Sequence, residues 1–122
     1  MSNSKDVYDI AKSYLYGVDR EHFVVIMLDI RNYIIGINTV TIGNIKSCIV
    51  NPREVFKPAL IAGASSDILV HNHPTGDPYP SPDDLNLTDK LKRAGDILEI
   101  KVLDHIIVTD SNYISLSDKG QI

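Results

Sequence analysis

The chain has 122 residues, 43% hydrophobic and 23% charged, which fits one globular domain able to bury a core without disulfides or a structural metal. A net charge of −4 and a pI near 5.4 argue against a nucleic-acid binder working by bulk positive charge. One cysteine, Cys48, excludes an intrachain disulfide and a CxxC zinc ribbon; no apolar run approaches the roughly 20 residues that span a bilayer, and MSNSKDVYDI lacks a signal-peptide pattern, so the expected compartment is cytoplasmic.

In chain order, Val7, Ile10, Ala11, Tyr14 and Leu15 recur at helical spacing and predict a helix over 7–16, ended by Gly17. HFVVIMLDI (22–30) is short, apolar and rich in β-branched residues, and reads as a buried strand. RNYIIGINTVTIG (31–43) reads as a second strand, paired antiparallel to the first through a turn near Arg31 and Asn32. Asn51-Pro52 opens a helix to about residue 64, which Pro58 is expected to kink or split. DILVHNH (67–73) is again a strand, and the three prolines and one glycine of 74–80 exclude regular structure there.

SPDDLNLTDKLKRAGDIL carries a strong helix start, with Ser81 as N-cap, Pro82 at the first helical position and acids in the first turn. Leu85, Thr88, Leu91, Lys92 and Gly95 mark one face, and Gly95 reads as a close-packing point. Lys90, Lys92 and Arg93 are interrupted by Asp89 and Asp96, the pattern of a solvated helix face. IKVLDHIIVT (100–109) is a strand and SNYISLS (111–117) a last short one. The order α-β-β-α-β-α-β-β predicts a mixed sheet with helices on both faces, a three-layer α/β/α single domain over 1–122.

The chemistry concentrates in HNHPTGDPYPSPDD (71–84). Alternation along a strand puts His71 and His73 on one face. The stiff loop then returns the chain at a helix N-terminus, where Asp84 falls in the first turn. Two imidazoles and a carboxylate make three protein ligands; a catalytic zinc leaves its fourth position to water and lowers that water's pKa to about 7. Manganese, iron and nickel also accept such ligands. Ser81 and Asp84 equally fit a capping box, S-x-x-D, with no metal at all, and HxH alone is a weak signal. The combination HxHP, six residues, SxxD is what raises the metal reading above the structural one.

That combination resembles the JAMM motif of MPN (JAB-like) metalloprotease domains at His71, His73, Pro74, Ser81 and Asp84. NPREVFKPAL upstream and AGDILEIKVLDHIIV downstream extend the resemblance, from about 21 to 116, to the RadC family of bacterial proteins. The resemblance implies a fold similar to that of cytidine deaminases, zinc held by His71, His73 and Asp84, and Ser81 hydrogen-bonding the water or the oxyanion of a tetrahedral intermediate. A base deaminase itself needs more cysteine ligands than this chain has. RadC proteins usually carry a helix-hairpin-helix segment, for which the chain has no room, so a short stand-alone member or an excised C-terminal domain is expected.

JAMM peptidases also use an upstream glutamate as general base. Of Glu21, Glu54 and Glu99, Glu21 stands at the matching place, before the first strand. Glu54 is the second choice and otherwise a first-turn helix acid; Glu99 follows the motif. His105 reads as a satisfied core histidine or a support for a ligand, His22 as pointing away from Glu21, and Cys48 as a small core hydrophobe. Asp77 and Asp83 shape the loop and the helix start.

The leading expectation is zinc-dependent cleavage of a peptide or isopeptide bond, with an extended peptide seated near Tyr79 or along a strand edge. A homodimer fits the pairing habit of MPN domains. The rival, prompted by the DNA-repair label of RadC proteins, is a non-catalytic module with a structural metal site; direct DNA binding by this acidic domain is not expected.

Overall fold

The computed structural model describes residues 3–43 and 50–122; Cys48 lies outside them. Helix α1 spans Ser4–Tyr14, β1 His22–Leu28, β2 Ile34–Ile42, α2 Pro52–Ala62, β3 Ser66–Asn72, α3 Pro82–Leu98, β4 Lys101–Val108 and β5 Tyr113–Ser115. The element order is the expected one.

Local chemistry moves several boundaries. Helix α1 begins at Ser4 and not at Val7, because the Asn3 side chain caps it by accepting from the Asp6 N–H. It ends at Tyr14, before the turn that holds Gly17 at φ +78°. Strand β1 stops at Leu28, because Asp29 Oδ1 collects the N–H groups of Arg31 and Tyr33 into a turn, with Asn32 at φ +64°. The expected split at Pro58 does not occur: α2 runs unbroken to its C-cap Gly63, since Val55, Phe56 and Ala59 bury on both sides of the proline.

The sheet order is β2-β1-β3-β4-β5. β3 and β4 run parallel, joined by α3 as the crossover, and the other neighbours are antiparallel. Period-two alternation sends Val24, Ile26, Leu28, Ile68 and Val70 toward α1. Phe23, Val25, Met27 and Leu69 face the other way, onto Val55, Phe56 and Ala59 of α2 and Leu91 of α3. The architecture is therefore a three-layer α/β/α stack with a five-stranded mixed sheet, the JAB/MPN arrangement.

Gly95 permits the closest approach in the second core. A Cβ there would collide with the Ile100 carbonyl oxygen and lie 3.2 and 3.3 Å from two Phe56 ring carbons. Helix α3 is thus pressed onto the start of β4, which fixes its N-terminal end beside the C-terminal end of β3. None of the helices among the described residues is long and apolar enough to cross a membrane.

Candidate metal centre

His71 is the sixth residue of β3 and shares a face with Leu69, so it points into the layer between the sheet and α3 with no exposure. His73 lies just past the strand, held by its own N–H to the Val108 carbonyl at 2.9 Å. The loop then turns at Gly76 (φ +90°), whose N–H bonds the His73 carbonyl. Asp77 Oδ1 accepts from the Tyr79 N–H.

At the head of α3 the full capping box forms. The Ser81 hydroxyl accepts from the Asp84 N–H at 3.1 Å, and Asp84 Oδ2 accepts from the Ser81 N–H at 2.8 Å. The same carboxylate faces the histidines: Oδ1 is 3.3 Å from His71 Nε2, and Oδ2 is 3.3 Å from His73 Nε2. The capping box is therefore formed, and it leaves the same carboxylate placed where the metal reading of S-x-x-D requires it. His71, His73 and Asp84 each offer one ligand atom, all within 4.8 Å of one another.

Acceptor-only partners decide where the histidine protons sit. Thr88 donates its hydroxyl proton to the Asp84 carbonyl at 2.8 Å, so its oxygen accepts from His105 Nδ1–H at 2.5 Å. His105 is fully buried, and that burial, aided by the neighbouring His71, pushes it well below its ordinary value. It is neutral, with its one proton on Nδ1, so its Nε2 accepts from His71 Nδ1–H at 2.8 Å. This leaves His71 Nε2 as the lone-pair nitrogen. At the other histidine, His73 Nδ1–H donates to the Asp77 carbonyl at 2.8 Å, and again Nε2 is the inward nitrogen.

The two Nε2 atoms stand 2.8 Å apart. Two nitrogen lone pairs so close, beside a carboxylate, require a cation between them. A proton can serve: the hydrogen bond with Asp84 raises His73 above its ordinary value against the opposing effect of burial, helped by the Asp77 carbonyl and the charges of Asp84 and Glu21. Burial pushes the Asp84 carboxyl up, but its bonds to His71 and His73 outweigh that and hold it well below the ordinary range. A divalent metal fits as well. Zinc takes histidine nitrogen at about 2.0–2.1 Å, which separates tetrahedral donors by about 3.4 Å; the two 3.3 Å histidine–Asp84 separations match this, and the Nε2 pair at 2.8 Å has to open slightly to admit the ion. The preset tautomers match what metal-binding histidines need.

The relay has a measurable worth. Thr88→Val and His105→Ala are each expected to weaken zinc binding about 10–100-fold, read by chelator competition. An unchanged affinity would show that His71 is oriented without them.

Glu21 stands one residue before β1, half-buried, with its carbonyl accepting from the Gly43 N–H at 2.7 Å, and its charge reaches His73. Glu54 is exposed in the first turn of α2 and accepts from Asn51 Nδ2, and Glu99 is the exposed αL cap at the far end of α3. Asp83 is exposed. Thr88 escaped the sequence reading: a threonine within an apolar helical stripe gives no hint that it joins α3 to a histidine on β4. A cleft of about 830 Å³ opens beside His73, walled by Tyr16, Val18, Asn72, Pro74 and Thr109.

Residues 1–121 match the family described as RadC-like JAB domain. A UPF0758 protein of Caldanaerobacter subterraneus is 49% identical over 120 residues, and UPF0758 proteins of Shouchella clausii and Methanosarcina mazei are each 45% identical over 120. The alignments cover 98% of this chain and 52% of each relative, so the chain spans about half the length of those curated relatives. With its fold, its His-His-Asp cluster and this match in agreement, the chain belongs to the RadC family, as a RadC-like JAB domain.

Proposed function

We propose that the domain is a zinc-dependent hydrolase of the JAMM type that cleaves peptide or isopeptide bonds. The observation that carries this reading is the convergence of His71 Nε2 and His73 Nε2 on the Asp84 carboxylate, with both tautomers preset. His71, His73 and Asp84 would hold the ion. When bound, zinc supplies Lewis acidity and makes water a nucleophile near neutral pH.

The chain's own groups divide the remaining work. Glu21 accepts the nucleophile's proton at its carboxylate and returns it to the leaving amine. Ser81 spends an acceptor lone pair on the helix cap, which leaves its hydroxyl proton for the oxyanion. A substrate would reach the cluster at His73, the one of the three side chains that keeps some exposure.

The test is metal content by mass spectrometry on protein purified without a nickel column, compared with His71→Ala and Asp84→Asn. About one zinc per chain, lost in both variants, is expected. A well-folded protein that takes up no metal from added zinc would sink the proposal. A strand, a loop and a capped helix would then remain, and a non-catalytic module would be the better reading.

A further inference from the structure

Between the two ligand histidines lies a residue that the chemistry above does not use. We propose that Asn72 is a positioning residue that fixes Glu21 relative to His71 and His73. The inference rests on the reading of Glu21 as general base.

Alternation along β3 turns Asn72 away from its histidine neighbours, onto the α1 side of the sheet, where it is 7% exposed. Its Oδ1 accepts from the His22 N–H at 2.6 Å, and its Nδ2 donates to the Arg20 carbonyl at 3.0 Å. An N–H can only donate and a carbonyl can only accept, so the orientation of this carboxamide is unambiguous. The two partners are the residues on either side of Glu21. Gly43 N–H holds the Glu21 carbonyl itself. The peptide units before and after Glu21 are thus both tied, and its Cα has a fixed place.

The sheet explains why a side chain is needed there. The β1–β3 ladder ends with the pair Phe23 and His71. Asn72 supplies with its carboxamide what the next rung would have supplied with its backbone. An apolar residue would offer neither bond, and aspartate would set an oxygen against the Arg20 carbonyl. Three consecutive residues therefore deliver both histidine ligands on one face and the anchor of the base on the other. That Glu21 acts on His73 through its charge agrees with this placement. Because a misplacement of about 1 Å can cost on the order of 10²-fold in rate, loss of the anchor is expected to cost part of what loss of the base itself costs.

The test needs no substrate and uses zinc as the probe. In the wild-type protein the side-chain carboxyl ¹³C resonance of Glu21 is expected to move when zinc is added. In Asn72→Ala, zinc still binds at one per chain, the His22 amide exchanges faster, and the Glu21 response to zinc is lost. Asn72→Asp, which keeps the acceptor for His22 but not the donor for Arg20, should not restore it; it also serves if Asn72→Ala fails to fold. A Glu21 response that persists unchanged in a zinc-loaded Asn72 variant overturns the inference. A wild-type Glu21 signal indifferent to zinc overturns instead the reading of Glu21 as base. Where hydrolysis of a fluorogenic peptide and isopeptide library is measurable, Asn72→Ala should lower kcat about 10–100-fold with little change in KM. It should add nothing further in a Glu21→Gln background, whereas an additive loss there overturns the inference.

Discussion

Glu21→Gln is expected to leave the zinc content and melting temperature of the protein unchanged while slowing hydrolysis about 10²–10⁴-fold. Glutamine keeps the size of the side chain and removes the oxygen that takes up a proton. The site offers no evident replacement among the described glutamates. Glu54 is exposed and engaged by Asn51 at the start of α2. Glu99 caps the opposite end of α3 from Asp84, and a helix of that length separates its two ends by about 25 Å. The measurement is kcat/KM on a peptide and isopeptide library beside metal analysis of the same preparation. A variant with full activity would remove Glu21 from the mechanism; one that loses its zinc would make it a structural acid.

The second large effect lies at the other end of β3. Asp67 has no exposure, pairs with Met27 on β1 and Val102 on β4, and neither carboxylate oxygen has a hydrogen-bond partner. Burial alone pushes its pKa from 3.8 up to about 7. The unfolded chain releases this proton near pH 4, while the folded chain keeps it until about pH 7. Stability from this group is therefore fully present below pH 4 and is lost as pH rises to about 7. The span corresponds to a loss on the order of 4 kcal/mol. Asp67→Ala removes the titration. Its stability relative to wild type should grow between pH 4 and 7 and level off above, giving a gain of about 2–4 kcal/mol at pH 8 after the small cavity is subtracted. Urea denaturation of both proteins at pH 5, 6, 7 and 8 measures it. A difference independent of pH would mean that Asp67 is ionised in the folded state.

How far the sequence reveals these features depends on the distance over which each is encoded. His71 and His73 are legible because a strand alternates every two residues, and Asp84 because a capping box has a fixed spacing. Elements with strong local chemistry, such as the Ser81-Pro82 helix start, are legible for the same reason. The order of strands is not, since nothing in HFVVIMLDI says that it lies between β2 and β3. The Thr88–His105–His71 relay joins residues from α3, β4 and β3, and no local pattern announces it. Asn72 is hidden by its neighbours, whose spacing draws all the notice. Asp67 reads as a charge at the edge of a strand; only the packed layers show it wholly enclosed. The start expected at Val7 and the split allowed at Pro58 both yield to non-periodic features, a cap from Asn3 in one case and burial of Phe56 and Ala59 in the other.

The double use of Asp84 has a practical and an evolutionary consequence. One carboxylate fastens the first turn of α3 and also faces His71 and His73. A lineage that drifts away from metal chemistry cannot discard this side chain freely, because the helix start would loosen with it. The residue can therefore outlast the activity, and its presence in a sequence is weaker testimony to function than that of His73, which carries no such second duty to a helix. For the experimenter, alanine at 84 confounds an empty metal site with a frayed helix. A substitution at His73, or asparagine at 84, separates the two.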